Sequence, residues 1–138
     1  MKVSIITISY NSVNTIQGTL ESVLNQTYKN IEHIVIDGNS NDNTVSICKN
    51  YSHLFKIISE KDKGVYDAFN KGLKIASGDI VGFLNSDDIF YNIDSLKTIV
   101  DEFDTNTDAV FGNLKFYNKK NKVIRKWISK PELTKEDM

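Results

Sequence analysis

The chain reads VSIITISYN over residues 3–11, and this stretch decides the fold class. Its β-branched run Val3–Ile8 is too short for a buried helix and predicts a buried strand. The helix that follows is predicted by four apolar residues at positions i, i+4, i+7 and i+8, namely Ile16, Leu20, Val23 and Leu24. A buried strand followed by an amphipathic helix is the repeating unit of a parallel sheet covered by helices.

The same unit recurs along the chain. Further strands are predicted over residues 31–36, 55–59 and 80–84, and helices over about 44–51, 65–76 and 96–103. Gly78 is expected at the left-handed position that follows the third helix. Two strand-like stretches then appear, 109–111 and 123–128, with polar residues between them. The sequence thus predicts an α/β fold with a mostly parallel sheet and a C-terminal hairpin or antiparallel excursion.

Length and composition describe one ordinary globular domain. The chain has 138 residues, of which 40% are hydrophobic and 25% charged. Its single cysteine, Cys48, cannot form an internal disulfide, which fits a reducing compartment. No apolar run approaches the roughly 20 residues of a membrane span, and Met1 leads directly into the first strand without a signal peptide. A cytoplasmic protein is expected on these grounds.

Charge is balanced overall but unevenly distributed. The formal net charge of −1 argues against a protein that binds nucleic-acid phosphates. Residues 1–114 carry 9 basic and 15 acidic side chains, whereas residues 115–138 carry 8 basic and 3 acidic ones. The basic tail, which contains Trp127, has two open interpretations: a solvated hairpin, or a peripheral contact with anionic lipid at the inner face of a membrane.

Polar side chains follow each predicted strand at the edge where an open α/β sheet binds its ligand. They are Ser9-Tyr10-Asn11, Asp37, Glu60-Lys61-Asp62-Lys63 and Asp87-Asp88. Several carboxylates gathered at one edge repel one another unless a cation lies between them. The pair Asp87-Asp88 could be an ordinary turn or helix cap, but its place after an apolar strand favours a divalent metal.

The glycines do not form either of the common phosphate-binding patterns, G-x-G-x-x-G and G-x-x-x-x-G-K-[ST]. A nucleotide diphosphate would therefore need another counter-charge. Carboxylates such as Asp87 and Asp88, together with substrate phosphates, are ligands that Mg²⁺ and Mn²⁺ prefer. The residues predict a nucleotide-diphosphate ligand held by one of these two cations.

Several ordered motifs resemble a known family. Residues 4–11, 22–28, 35–44, 62–72 and 78–88 are similar to the opening of family 2 glycosyltransferases, above all to the branch that builds bacterial surface polysaccharides such as colanic acid. The resemblance covers about residues 2–113. It implies a Rossmann-like GT-A fold and an inverting, metal-assisted transfer from a UDP- or GDP-sugar to a polysaccharide or lipid-linked acceptor.

The resemblance also implies roles for individual residues. Tyr10 would pack on the base, Asp37 would hold the base, Asp87 would bind the ribose, and Asp88, with Asp87, would bind the metal. The other expected nucleotide-sugar ligands are Ser9, Asn11, Asp62, Lys63, Asn70 and Lys71. Two departures concern Gly38, where many members carry a second acid, and Phe69, where many carry arginine.

The family's general base lies in an acceptor-binding half that residues 114–138 do not match. No catalytic base is therefore identified, and it is expected beyond Met138. Residues 1–113 are interpreted as the nucleotide-sugar-binding core and residues 114–138 as the basic start of the acceptor-binding half. This chain alone is expected to transfer sugar poorly or not at all. The alternative is a non-catalytic nucleotide-binding or scaffold module.

Overall fold

A computed structural model of the protein describes residues 1–118 and 120–129. The elements in chain order are β1 Val3–Ser9, α1 Ile16–Leu24, β2 Ile31–Asp37, α2 Thr44–Cys48, β3 Leu54–Ser59, α3 Val65–Leu73, β4 Ile80–Phe83, α4 Ser95–Asp101, β5 Leu114–Tyr117 and β6 Val123–Trp127. The chain divides into two compact units, Met1–Thr98 and Ile99–Met138. Across the described residues, no helix is both long enough and apolar enough to span a bilayer.

The first unit is built on a four-stranded parallel sheet in the order β3-β2-β1-β4. Strands β1 and β2 are in register from Val3 opposite Ile31 to Ser9 opposite Asp37. The α/β fold with a mostly parallel sheet is therefore confirmed. Because all four strands run in one direction, their polar end residues are brought to the same edge.

Two apolar clusters cover the two faces of this sheet. On one face Ile6, Ile34 and Ile36 pack with Ala68 of α3. On the other face Val35 packs with side chains of α1 and α2, including Leu20 and buried Cys48. Neighbouring residues of β2 thus serve opposite clusters, as the alternation of side chains along a strand requires. This double burial explains why the central strands β1 and β2 are largely apolar in sequence, whereas the residues of the edge strands β3 and β4 are half-buried or exposed.

Gly78 does not have the left-handed conformation expected from the sequence. Among the glycines of the described residues, positive φ occurs at Gly64, where φ is 113°. Gly78 is instead required by a close approach to β1, since a Cβ atom there would lie 2.6 Å from the backbone nitrogen of Ser4. The glycine after α3 therefore reflects packing of the chain against the first strand rather than a helix-ending turn.

The second unit contains the expected antiparallel hairpin, formed by β5 and β6. The expectation of a strand at Ala109–Phe111 is wrong, because β5 begins at Leu114. The turn between β5 and β6 explains why β5 begins later in the chain than expected. Asn118 donates its backbone N–H to the carbonyl of Lys122 at 3.0 Å, and Asn121 takes a positive φ of 58°. A turn sets the register of a hairpin, so the residues next to it form the strand.

Two helical glycines are expected to respond oppositely to alanine. At Gly72 in α3 a Cβ atom would lie 2.5 Å from Cγ2 of buried Ile6, whereas at Gly18 in α1 the nearest atom is 3.9 Å away. Overpacking should make Gly72→Ala less stable by about 2 kcal/mol. Gly18→Ala should gain about 0.5–1 kcal/mol because it removes backbone freedom from the unfolded chain. Urea unfolding of both variants tests this, and a shared direction of change would contradict it.

Candidate active site

A cavity of about 800 Å³ opens at the carboxyl ends of β1 and β4. Its wall consists of the end of β1 and the loop into α1, the loop before α3 with the start of that helix, and the loop after β4. The lining residues are 8–12, 14, 15, 62, 64, 65, 68 and 85–87. This is the edge at which the parallel topology predicts a ligand.

The structure separates the predicted site residues into two groups. Five of them line the cavity: Ser9, Tyr10, Asn11, Asp62 and Asp87. The other five do not line it: Asp37, Lys63, Asn70, Lys71 and Asp88. Proximity in the sequence to a strand end is therefore not enough to place a side chain on the cavity wall.

Asp37 lies at the end of β2 with 0% of its surface exposed. Its carboxylate accepts hydrogen bonds from the Ser9 hydroxyl at 3.1 Å and the Ser59 hydroxyl at 2.7 Å. It also accepts bonds from the backbone N–H of Ser40, at 2.8 Å, and from the Ser40 hydroxyl. In this arrangement Asp37 joins the ends of three strands and the following loop beneath the surface, and it does not line the cavity.

The two predicted lysines point to other partners or to solvent. The Lys71 ammonium group lies 2.9 Å from a carboxylate oxygen of Glu60 and 3.5 Å from one of Asp67. The hydrogen bond with Glu60 raises the pKa of Lys71 above its ordinary value. Lys63 is exposed, and its backbone N–H donates to Asp67 at 3.0 Å. Asn70 is also exposed. A role for these three residues at a nucleotide stays a prediction.

Hydrogen bonds between two loops hold Tyr10 at the cavity. Asn11 has a positive φ of 48°, its backbone N–H donates to the Ser40 hydroxyl at 2.8 Å, and its side-chain oxygen accepts from the backbone of Asn41 at 3.0 Å. Asp42 also joins the two loops by accepting from the backbone of Val13 at 3.2 Å. These contacts fix the β1–α1 loop, and the Tyr10 side chain stays 65% exposed on the wall.

The loop after β4 presents Asp87 and Asp88. Both side chains are exposed, and the Asn85 amide donates to the Asp88 carboxylate at 3.1 Å. Buried Thr19 of α1 holds the loop by donating to the backbone carbonyl of Asp88 at 2.8 Å. A second link joins the hydroxyls of Ser12 and Ser86, 2.7 Å apart. The β1–α1 loop and the loop after β4 are therefore hydrogen-bonded to each other at the cavity wall.

These anchoring residues are absent from the sequence prediction. Ser12 and Ser86 lie next to predicted site residues, so their position along the chain is the only signal. Thr19 carries a stronger one, because it is a polar residue next to Leu20 on the apolar stripe of α1. A buried polar side chain needs a hydrogen-bond partner, which indicates a contact with another segment.

Asp87 and Asp88 offer the carboxylate oxygens that hard divalent cations prefer. No group of three or more histidine, cysteine, aspartate or glutamate side chains within residues 1–118 and 120–129 could hold a metal ion. The pair therefore fits Mg²⁺ or Mn²⁺ only where a bound ligand supplies further oxygens. This donor set suits a metal that enters with a phosphate-containing ligand.

Comparison with known proteins identifies the family of the fold. An Escherichia coli relative, UDP-Glc:alpha-D-GlcNAc-diphosphoundecaprenol beta-1,3-glucosyltransferase WfgD, is 36% identical over 134 residues, which are 96% of this chain and 53% of that protein. The chain thus spans about half the length of this curated relative. The sequence model described as Glycosyl transferase family 2 matches residues 4–137.

Solved structures support the same assignment. TarS 1-349 of S. aureus in complex with UDP-GlcNAc has a TM-score of 0.66 and 32% identity, over 74% of this chain and 32% of that one. Mannosyltransferase PcManGT of Pyrobaculum calidifontis, in complex with GDP-Man and Mn²⁺, has a TM-score of 0.67 and 27% identity, over 72% of this chain and 31% of that one. These neighbours confirm the expected GT-A fold. The chain belongs to glycosyl transferase family 2.

Proposed function

We propose that this chain forms the donor-binding part of a glycosyltransferase that takes its sugar from UDP or GDP. The observation that carries the proposal is the cavity at the carboxyl ends of β1 and β4, which is lined by an exposed aromatic ring, Tyr10, and by two aspartates, Asp62 and Asp87. Its volume of about 800 Å³ lies in the range of small-molecule sites. The UDP-sugar and GDP-sugar complexes of the structural neighbours support this choice of donor.

Different residues of the cavity would then contact different parts of the donor. Tyr10 provides an exposed ring on which a base can pack. Asp87, on the wall after β4, is suited to accept hydrogen bonds from ribose hydroxyls. Asp88, with Asp87, would hold Mn²⁺ or Mg²⁺. Such a cation, when bound, supplies positive charge that stabilises a departing diphosphate.

The acceptor is proposed to be a saccharide, either free or linked to lipid, and the transfer to invert the anomeric centre. The diphosphoundecaprenol in the name of the E. coli relative supports a lipid-linked acceptor. We assign residues 1–113 to donor binding and the basic residues 114–138 to the start of acceptor binding. Arg125 and Lys126 are exposed on β6, and they provide the positive charge for a peripheral contact with anionic lipid.

The metal-dependent part of this proposal predicts the effect of Asp88→Ala. Isothermal titration of the chain with UDP and GDP, with and without Mn²⁺, should show tighter binding in the presence of the cation. Losing one of two protein carboxylates should weaken the Mn²⁺-dependent affinity at least about tenfold, because hard cations are held chiefly by such oxygens. Affinity without Mn²⁺ should change little.

Asp79→Ala is the matched control, since Asp79 immediately precedes β4 at the opposite end of that strand. It should leave the Mn²⁺-dependent affinity unchanged. Equal binding with and without the cation would contradict the role of Asp88 and leave nucleotide binding in place. Failure of both UDP and GDP to bind would instead favour a scaffold module.

A further inference from the structure

The glycine at position 38 leaves room that a neighbouring carboxylate occupies. A Cβ atom at Gly38 would lie 2.7 Å from Oδ2 of Asp62 and 3.4 Å from Cδ2 of Tyr10. The first distance is too short for a real contact, so the present position of Asp62 requires glycine at 38. The side chains of Tyr10 and Asp62 thus meet at one point above the end of β2, and both line the cavity.

The two oxygens of Asp62 have different surroundings. Oδ1 accepts the backbone N–H of Gly64 at 2.9 Å, which fixes the orientation of the carboxylate. Gly64 has a φ of 113°, a conformation that favours glycine. Throughout the described part of the chain, no hydrogen-bond donor or cation reaches Oδ2. A ligand donor is therefore the partner that this oxygen is placed to accept.

The other acid near Gly38 is Asp37, and it has no free position to accept a hydrogen bond from a ligand. Asp37 has 0% exposure, and four hydrogen bonds occupy its carboxylate. Asp62 is consequently the carboxylate that stands beside the exposed Tyr10 ring, where a planar base would pack. An ionised carboxylate only accepts hydrogen bonds, so it distinguishes bases by whether their facing ring nitrogen carries hydrogen.

We propose that Asp62, placed over Gly38 and beside Tyr10, selects a nucleobase that presents an imino N–H. Uracil and guanine present such a donor, at N3 and N1 respectively. Cytosine and adenine present a bare ring nitrogen at the corresponding position, which would face the carboxylate with two acceptors and no hydrogen. This inference rests on the proposed function, and it assigns base discrimination to the β3–α3 loop.

Titration of the whole chain with UDP, GDP, CDP and ADP at one Mn²⁺ concentration tests the inference. The wild-type chain should bind UDP or GDP at least about tenfold more tightly than CDP and ADP, as expected when the half-buried Asp62 carboxylate is paired with a donor in one complex and faces another acceptor in the other. In Asp62→Asn the amide can both donate and accept. The preferred nucleotide should weaken about tenfold and CDP should come within about threefold of it.

Two further variants test whether a loss of base discrimination comes from the position of the Asp62 carboxylate or from general disturbance of the site. Gly38→Ala leaves the carboxylate chemically intact but displaces it, so it should reduce the same discrimination with little loss of thermal stability. Asp67→Asn removes an equal charge five residues along the chain, where the carboxylate instead accepts from Lys63. Its ratio of UDP to CDP affinity should remain that of the wild type.

The outcomes distinguish this inference from the proposed function. Wild-type binding of UDP and CDP with equal affinity would overturn the role of Asp62 while nucleotide binding stood. A ratio unchanged by both Asp62→Asn and Gly38→Ala would overturn it as well. Absence of binding by all four nucleotides would overturn the proposed function itself.

Discussion

Replacing Asp37 with alanine is expected to lower the free energy of unfolding by about 4 kcal/mol, because a fully buried carboxyl group with four hydrogen bonds cannot be removed without leaving its donors unpaired. The hydroxyls of Ser9 and Ser59 and two donors of Ser40 would lose their common acceptor. These donors belong to β1, β3 and the loop after β2, so three segments would lose one anchor. Denaturant unfolding followed by circular dichroism measures the change.

Asp87→Ala provides the matched comparison, since Asp87 also follows a strand but is exposed. Its free energy of unfolding should stay within about 0.5 kcal/mol of the wild type. Nucleotide affinity should fall in Asp87→Ala even though stability does not. If Asp37→Ala unfolded within about 1 kcal/mol of the wild type, the buried hydrogen-bonded role of Asp37 would be wrong.

The parallel sheet could be predicted from the sequence because burial of its central strands β1 and β2 on both faces leaves a nearly continuous apolar signal. Val35 and Ile36 are adjacent in β2 and contribute to opposite clusters. In a sheet with one face exposed to solvent, apolar and polar residues would alternate along each strand instead. The hairpin was harder to place, since Ala109–Phe111 resembles a strand by composition, yet pairing is set by the hydrogen bonds that Asn118 makes with Lys122 and Asn121.

The loops of the site could be predicted, but only half of the predicted side chains line the cavity. Residues after β1 and β4 do line one cavity, as the topology requires. Which aspartate faces the cavity depends on local hydrogen bonds. The spacing of residues along the chain does not predict these bonds. Asp37 is drawn inward by serines from three segments, whereas Asp62 is turned by Gly64 and accommodated by Gly38.

Glu32 carries a signal that the sequence reading did not use. It is a charged residue in a strand otherwise buried in the core, and it is 1% exposed. Its carboxylate accepts from Ser4 at 2.8 Å and from the backbone and hydroxyl of Ser77 at 2.9 and 2.7 Å, and it forms an ion pair with Lys2. The network joins β1, β2 and the loop before β4 at the edge opposite the cavity.

Protonating or neutralising Glu32 is expected to cost about 3 kcal/mol of stability. Burial alone would raise the pKa of Glu32, but hydrogen bonds from Lys2, Ser77 and Ser4 outweigh burial and lower it from 4.5 to about 2. Because the folded pKa lies below the unfolded one, the contribution is complete above pH 4.5 and is lost as the pH falls toward 2. Glu32→Gln should therefore be less stable at pH 7 by a similar amount.

The pH dependence separates the effect of the Glu32 charge from the effect of its changed hydrogen bonding in Glu32→Gln. The difference in unfolding free energy between the wild type and Glu32→Gln should shrink steadily between pH 5 and pH 2, since acid neutralises the wild-type side chain as well. Glu102→Gln, at an exposed glutamate, should stay within about 0.5 kcal/mol of the wild type at every pH. Urea unfolding across this range gives the measurement. A difference that stayed constant with pH would show that Glu32→Gln loses stability through a mismatched hydrogen bond of the new amide and not through the lost charge.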